Sequence, residues 1–349
     1  MSRYGFLVSP SHNRVYAQTA PALATAELAV FGERALGGTV RDIGITEIGG
    51  LPYVTFTADE LTETDLRLLS NMSSLYALFA LESDDLLRPL AKRPVDLFGS
   101  DLLTIQKYAG KTNEDFTRLL VNVTALATDT PAGLVTGGMR LFDPMCGRGT
   151  TLNQAIMYGM DAAGLDIDAK DFEAYSGFLR TWLKNNRLKH RAETGPVRRQ
   201  KATLGRRLQV SLGASKELYR EGSTIDVTVV NADTLRSGDF FRRGEFDLIV
   251  TDAPYGVQHG SRPHGGGNAG RLARSPRDLL AAAVPVWEPL LRRGGALGIS
   301  WNTFVAGREE LADILESNGL TVHASEPYLG FAHRVDQAIR RDIIVATKN

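Results

Sequence analysis

One short segment of this chain has the residue types needed to hold a planar amino group. An apolar run at 248–251, typical of a buried strand, leads into Asp252, Ala253, Pro254 and Tyr255. A carboxylate and a backbone carbonyl can each accept one N–H, a proline stiffens the turn, and an aromatic ring can stack on a base. An ordinary turn that ends a strand also uses these residue types, so the context must separate the two interpretations.

Acidic residues at the ends of three other predicted strands supply that context. These residues are Asp143, Asp166 and Asp233. In an open α/β sheet, ligands bind outside the carboxyl ends of the strands, where an acidic side chain can accept hydrogen bonds from ribose hydroxyls. A single aspartate would indicate a helix cap or a turn. Three at successive strand ends favour a nucleoside-binding site.

A glycine turn follows the first of these strands and contains Gly147 and Gly149. Glycine lets the backbone pass close to a ligand, where a Cβ atom would clash. A dinucleotide fingerprint would need a third glycine at position 152, which is Leu152, and no Gly-Lys-Ser/Thr triplet of a P-loop follows the strand. The sequence therefore argues against both of these nucleotide-binding motifs.

The elements that must position these residues alternate between strand and helix. Strands are predicted over 140–145, 161–167, 225–231, 246–251, 296–301 and 342–347, and helices over 115–126, 150–158, 169–186, 276–291 and 308–317. Such alternation predicts a mainly parallel sheet covered by helices on both faces. Residues 1–100 read as a smaller α+β domain, with strands over 4–8 and 51–56 and helices over 21–36 and 64–79. We place the domain boundary near Ser100.

Three segments taken together resemble the tRNA guanosine-N2 methyltransferase family. They are Asp-Pro-Met-Cys-Gly-Arg-Gly-Thr at 143–150, Gly-Leu-Asp-Ile-Asp at 164–168 and Asp-Ala-Pro-Tyr at 252–255. The helix at 116–126 also resembles the helix that precedes the first strand in that family. The resemblance covers residues 104–349 and implies a Rossmann-like class I methyltransferase domain with a mainly parallel, seven-stranded sheet, here extending over 101–349.

The resemblance implies S-adenosyl-L-methionine as the cofactor. The implied cofactor contacts are Lys111, Thr112, Asp143, Pro144, Met145, Cys146, Gly147, Gly149, Thr150, Thr151, Asp166, Ile167, Asp233 and Thr234. The implied substrate is the exocyclic amino group of a nucleic-acid base, with guanosine N2 in tRNA favoured and DNA or ribosomal RNA as alternatives. Ala253 replaces the usual proline of the family, which keeps the carbonyl acceptor but makes the turn less rigid.

A basic segment over 190–220 is the candidate surface for nucleic-acid phosphates. Its only acidic residues are Glu193 and Glu217, and the proposed contacts are Arg191, Arg198, Arg199, Lys201, Arg206 and Arg207. The whole chain carries 40 basic and 40 acidic residues, whereas nucleic-acid-binding proteins usually have a basic excess. A solvated surface therefore remains an equal interpretation of this segment. A second interruption, at 259–274, is a glycine-rich loop.

The remaining composition narrows the class of protein. A single cysteine, Cys146, excludes an internal disulfide framework. The sequence shows no signal peptide and no apolar run long enough to span a membrane. We therefore expect a cytoplasmic protein. No cluster of Cys or His has the spacing of a metal site. Cys146 lies in the glycine turn, where a packing role is favoured over that of a nucleophile. Two other functions remain as alternatives: a non-catalytic nucleic-acid-binding protein that keeps the fold, and methylation of a small molecule or a protein glutamine.

Overall fold

The computed structural model describes residues 1–10, 14–36, 40–83, 86–199, 202–255 and 275–349. The strands are β1 Ser2–Val8, β2 Arg41–Ile48, β3 Leu51–Ala58, β4 Leu75–Ser83, β5 Leu86–Leu90, β6 Arg140–Asp143, β7 Asp161–Asp166, β8 His190–Arg199, β9 Ala202–Leu212, β10 Ile225–Asn231, β11 Phe246–Asp252, β12 Leu291–Asn302, β13 Leu320–Val322, β14 His333–Arg334 and β15 Arg340–Lys348. The helices are α1 Arg14–Arg34, α2 Glu63–Leu69, α3 Asp101–Thr104, α4 Glu114–Ala127, α5 Gly133–Thr136, α6 Thr150–Met157, α7 Ala169–Asn185, α8 Lys216–Arg220, α9 Pro276–Trp287 and α10 Arg308–Glu316. Short 3-10 segments follow at Thr234–Asp239, Glu288–Leu290 and Glu326–Leu329.

The first ninety residues form an antiparallel sheet in the order β2-β3-β1-β4-β5. The succession β1-α1-β2-β3-α2-β4 is that of a ferredoxin-like unit, and α1 covers one face of the sheet. The helix predicted over 64–79 is wrong in its second half, because α2 ends at Leu69 and β4 begins at Leu75. Side chains of β4 alternate between buried and more exposed positions, and its pairing with β1 overrides the local helical preference.

The second sheet has the order β13-β15-β12-β11-β6-β7-β10-β9-β8, with β14 paired to β15. The central strands β12, β11, β6, β7 and β10 are parallel, and β15 runs antiparallel to β12. These six strands and β13 make up the seven that were expected. The sheet reaches ten strands because β8, β9 and β14 are added to it. The mainly parallel Rossmann-like core therefore agrees with the sequence-based prediction.

The basic segment contributes the antiparallel hairpin β8–β9, which the sequence analysis did not predict. Leu208, Val210 and Leu212 are buried and fix one face of β9 in the core. Arg206 lies opposite Asn231, the last residue of β10. Residues 197–199 of β8 and 202–205 of β9 therefore extend beyond the carboxyl edge of the sheet.

The two sheets are joined through a buried polar network between α1 and α4. Glu27 of α1 is fully buried and accepts hydrogen bonds from the Ser73 hydroxyl at 2.6 Å and from Asn122 Nδ2 of α4 at 2.8 Å. The Tyr158 hydroxyl donates to Asn122 Oδ1 at 2.8 Å. At the carboxyl end of α4, Arg34 donates to two main-chain carbonyl oxygens, each at 3.1 Å. Such a cation also interacts favourably with the helix dipole.

This network predicts a measurable pH dependence of stability. Burial raises the pKa of Glu27 from 4.5 to about 7. Between these values the folded protein binds more protons than the unfolded chain, so the free energy of unfolding falls as pH rises, by roughly 3 kcal/mol for this group. Glu27→Gln removes the titration and keeps the size of the side chain. We expect urea denaturation at pH 5 and pH 8 to show a weaker fall for the variant; an equal fall would contradict the assignment to Glu27.

Candidate active site

The predicted acidic residues converge on one edge of the second sheet. Asp143, Asp166 and Asp252 are the last residues of β6, β7 and β11, which are parallel, and Asp233 lies two residues beyond β10. The Thr251 hydroxyl of β11 donates to Asp143 Oδ1 at 2.9 Å. This hydrogen bond joins the glycine turn directly to the segment that contains Asp252.

The two glycines of the turn are required for different reasons. Both have positive φ, +49° at Gly147 and +80° at Gly149. A Cβ atom on Gly149 would lie 2.2 Å from Cε2 of the buried Tyr175, whereas no atom lies within 4 Å of a Cβ position on Gly147. Gly149 therefore allows internal packing. Gly147 leaves open space beside the backbone, which fits the close approach of a ligand.

The end of β7 has a carboxylate and an apolar side chain that can bind a nucleoside. Asp166 accepts hydrogen bonds from Gly147 N at 2.7 Å and from Asp168 N at 2.8 Å. These two bonds leave lone pairs of the carboxylate for ribose hydroxyls, and burial raises the pKa of Asp166. The Ile167 side chain is 63% exposed and offers an apolar surface beside it. Asp233 caps the following 3-10 helix by accepting from Leu235 N at 3.0 Å.

Asp143 supports the glycine turn from inside the protein. Its side chain is buried and accepts from Met145 N at 3.1 Å in addition to Thr251. Burial raises its pKa to about 7. Pro144 is buried and Met145 packs on the core, so these residues shape the turn.

Some side chains predicted to contact the cofactor have other partners. Cys146 is buried next to Gly164, and burial raises its thiol pKa well above the usual value, which favours the expected packing role. Thr234 accepts from Trp287 Nε1 at 2.9 Å inside the core. Lys111 Nζ donates to Leu103 O at 2.6 Å and pairs with Glu114. The sequence could not show these contacts, because each partner is distant in the chain or across a turn.

The threonines at the start of α6 are also engaged. The Thr150 hydroxyl lies 3.2 Å from the Tyr108 hydroxyl, and Thr151 is buried with its hydroxyl directed at Asp143. The side chains of Cys146, Thr151, Thr234 and Lys111 thus have partners within the protein, and their contact with a cofactor stays a prediction.

Asp252 is held by hydroxyl groups from three different segments. It accepts from Thr112 Oγ1 at 2.6 Å, from Ser300 Oγ at 2.7 Å and from the Tyr255 hydroxyl at 2.6 Å. Ala253 N donates to Ser300 O at 2.8 Å and fixes the turn. Thr112 was expected to contact the cofactor. In the structure, its hydroxyl donates a hydrogen bond to Asp252. Ser300 was missed, although the parallel register places it directly opposite Asp252.

One face of the Tyr255 ring is covered by Arg341. The guanidinium of Arg341 lies 5.0 Å from its centroid, and its hydroxyl donates to Asp252. Burial raises the pKa of Tyr255 far above its usual value, so this hydroxyl stays protonated. The three hydroxyls fill three of the four lone-pair positions of the Asp252 carboxylate, which leaves one for a further donor. Pro254, at the outer side of the turn, is exposed.

Much of the charge of the hairpin is paired. Arg191 pairs with Glu193 at 2.7 Å, Arg206 with Glu173, and Arg199 with Asp239 at 3.9 Å. In the part of the chain that the structure describes, no ion pair engages Arg198 or Arg207. Lys201 and the glycine-rich loop at 259–274 lie outside the described residues.

The described residues contain neither a metal-binding cluster nor a helix suited to a membrane. No group of three or more His, Cys, Asp or Glu side chains is arranged to hold a metal ion. No helix in these residues has the length and hydrophobicity that crossing a membrane requires.

The strand order and the glycine turn after β6 define a class I S-adenosylmethionine-dependent methyltransferase domain. Residues 130–266 match the family model UPF0020, described as RMKL-like, methyltransferase domain. No curated protein gives a significant match.

Several solved structures of methyltransferases show a distant similarity to this chain. TrmN from Thermus thermophilus is 12% identical, with a TM-score of 0.46 and 100% of both chains covered. The precorrin-6y C5,15-methyltransferase from Geobacter metallireducens GS-15 is 12% identical, with a TM-score of 0.39, 74% of this chain and 100% of the other. The geranyl diphosphate C-methyltransferase from Streptomyces coelicolor A3(2) is 11% identical, with a TM-score of 0.34, 61% of this chain and 74% of the other. These likenesses are too distant to bear on the substrate.

Proposed function

We propose that this protein transfers a methyl group to the exocyclic N2 of guanosine in tRNA. The observation that carries the proposal is the position of Asp252, a carboxylate held at the sheet edge by Thr112 and Ser300 and joined to the glycine turn through Thr251. A conjugated exocyclic amine is a weak nucleophile, so it must be oriented and its N–H groups must be bound.

The residues of the turn would divide this task. Asp252 would accept one N–H of the amine and the carbonyl of Ala253 the other, which directs the nitrogen lone pair away from both. The hydroxyls of Thr112 and Ser300 would keep the carboxylate in place while it binds the amine. Pro254 would limit movement of the turn.

The cofactor would be held by the residues at the neighbouring strand ends. S-adenosylmethionine supplies an electrophilic methyl group on a sulfonium. The open space at Gly147 would receive it, Asp166 would bind its ribose hydroxyls, and Ile167 would contact its adenine. Asp233 and the backbone of the turn at Asp143–Thr151 would complete this site. We also propose that residues 1–100 and 101–349 are separate domains.

Methylation of unmodified tRNA transcripts tests the proposal. We expect nucleoside mass spectrometry after incubation with S-adenosylmethionine to detect N2-methylguanosine. Total DNA and ribosomal RNA serve as parallel substrates, and product in either of them alone would replace tRNA as the substrate. Absence of methylation in all three, with cofactor still bound, would favour the non-catalytic alternative or a different acceptor.

The hairpin β8–β9 offers a test of how the nucleic acid is held. Arg198 lies near the tip and Arg207 lies next to Arg206 at the edge of the sheet. Neither has an acidic partner in the described chain, so among the proposed contacts they are the arginines most available to phosphates. We expect the double variant Arg198→Ser, Arg207→Ser to weaken tRNA binding about threefold to tenfold and to reduce the salt slope by about 1 to 2. Filter binding at several salt concentrations measures both.

A matched control removes the same charge from paired positions. Arg191→Ser, Arg206→Ser changes the net charge equally, but both arginines have carboxylate partners. We expect a smaller change in the salt slope for this control. Equal slopes for the two double variants would show that only net charge matters and that Arg198 and Arg207 make no specific phosphate contact.

A further inference from the structure

Beyond the acceptor turn, the carboxyl edge of the second sheet carries an exposed aromatic ring. Phe304 follows β12 and is 66% exposed, the highest value for any Phe, Tyr or Trp side chain in the described residues. Single exposed apolar side chains are common, so exposure alone indicates no function. The position of Phe304 distinguishes it, because β12 lies next to β11 on the side away from β6 and its glycine turn.

Asn302 fixes this part of the chain against the acceptor turn. It is buried at the end of β12, and its Nδ2 donates to Tyr255 O at 3.3 Å and to Ala338 O at 3.1 Å. Its Oδ1 accepts from Phe304 N and from Arg340 N, each at 3.2 Å. One side chain therefore joins the acceptor turn, the loop that contains Phe304 and the first residue of β15.

Two arginines lie beside this loop on the β14–β15 hairpin. Arg334 and Arg340 are directly opposite each other in the strand pairing, so their side chains project from the same face. Both are exposed, whereas the neighbouring pair, His333 and Arg341, is buried. Within the described residues no ion pair engages Arg334 or Arg340, although Arg334 Nε donates to Asp336 O at 3.0 Å. Like charges directly opposite each other are unfavourable, and a bound polyanion would relieve their repulsion.

We propose that Phe304, Arg334 and Arg340 bind the nucleotide that adjoins the target nucleotide in the RNA chain. The inference rests on the proposed function and adds residues outside the acceptor turn. The ring of Phe304 would stack on the neighbouring base, and the two guanidinium groups would contact the flanking phosphates. Stacking on a protein ring requires an unstacked base, so the target would lie in a loop, in a bulge or beside an opened pair.

The order of the strands explains why a neighbouring nucleotide would reach this surface. The cofactor is proposed to lie at the ends of β6, β7 and β10, so an RNA chain with its target base at Asp252 cannot continue in that direction. On the other side of Asp252, β12 is one strand away and β15 is two strands away. These separations are roughly 5 and 10 Å, which is within reach of the next nucleotide of a single strand.

RNA binding by the full chain, with S-adenosylhomocysteine present, tests the stacking contact. The probes are an unmodified tRNA transcript and a short unstructured oligouridylate, because stacking tolerates any base. Phe304→Leu keeps an apolar side chain but removes the ring, whereas Phe304→Trp keeps a ring. We expect Phe304→Leu to weaken binding of both probes about fivefold or more, and Phe304→Trp to stay within about twofold of the wild type. Neither variant should change the salt slope, because neither changes the charge.

A double variant tests the two arginines. Arg334→Ser, Arg340→Ser should weaken tRNA binding about threefold to tenfold and reduce the salt slope by about 1 to 2. The matched control is Arg242→Ser, Arg243→Ser. These two arginines are also exposed and have no ion pair in the described chain, but they precede β11 at the opposite edge of the sheet. We expect a clearly smaller change in slope for this control, and thermal unfolding checks that each variant is folded.

The outcomes separate this inference from the proposed function. Wild-type RNA affinity in Phe304→Leu would overturn the inference, as would equal slope changes in the two double variants. Slower methyl transfer by Phe304→Leu with unchanged RNA affinity would place the ring on the target base and overturn it too. RNA binding that depends on Phe304 and on both arginines, without N2-methylguanosine in tRNA, would support this surface and overturn the proposed function.

Discussion

Asp252→Asn is expected to lower kcat for methyl transfer about 10²- to 10³-fold, with the dissociation constant of S-adenosylmethionine changed less than about twofold. The carboxylate is the group proposed to bind the acceptor amine, and its partners Thr112, Ser300 and Tyr255 belong to the acceptor side of the site. Asparagine keeps the shape but turns one acceptor oxygen into a donor. Single-turnover methyl incorporation measures the rate, and calorimetry measures cofactor affinity.

Thr112→Val provides the graded control for this experiment. It removes one of the hydroxyls that hold Asp252 and leaves the carboxylate itself. We expect a rate reduction of about tenfold, between the wild type and Asp252→Asn, because orientation is weakened and not lost. Full activity of Asp252→Asn would refute the acceptor role of this residue. A loss of cofactor binding would place Asp252 in the cofactor site.

Gly149→Ala is expected to destabilise the protein by about 3 kcal/mol or more. The new Cβ atom would lie 2.2 Å from Tyr175 Cε2, and the residue has φ of +80°. Tyr175 cannot move aside, because its ring is fully buried and its hydroxyl donates to Asn153 Oδ1 at 3.1 Å. Urea denaturation measures the change in the free energy of unfolding.

Gly147→Ala is the matched substitution two residues away. Its φ is +49° but no atom lies within 4 Å of the new Cβ, so we expect a cost of only about 1 kcal/mol. Affinity for S-adenosylmethionine should fall about tenfold or more, because the methyl group fills the space proposed for the ligand. Unchanged affinity in a stable Gly147→Ala protein would move the cofactor away from this turn.

The parts of the site that the sequence revealed are those set by local order along the chain. A residue that directly follows an apolar strand must lie at the strand tip, so Asp143, Asp166 and Asp252 could be assigned to one edge. Ser300 and Arg341 could not, because they reach the site through strand pairing across the sheet. β15 runs antiparallel, and its first residues therefore lie at the edge where the parallel strands end.

The fold was predictable where periodicity was unambiguous. Alternation of strands and helices from residue 140 onward correctly predicted the parallel core. The region 64–79 was misread because a short helix and a strand follow each other there with only a brief turn between them. The hairpin was missed because its charged residues obscured the alternating Leu208, Val210 and Leu212, whose burial decides the conformation of β9.

The hydrogen bonds that join α1 to α4 make the N-terminal unit a fixed spacer. Because Glu27 and Arg34 both engage α4 or its carboxyl end, the N-terminal sheet cannot swing independently of the acceptor turn without breaking buried bonds. Any molecule held on that sheet would present its reactive atom to Asp252 from one distance and one direction. Among identical bases along a polymer, the one that reaches Asp252 would then be set by its distance along the polymer from the point of attachment.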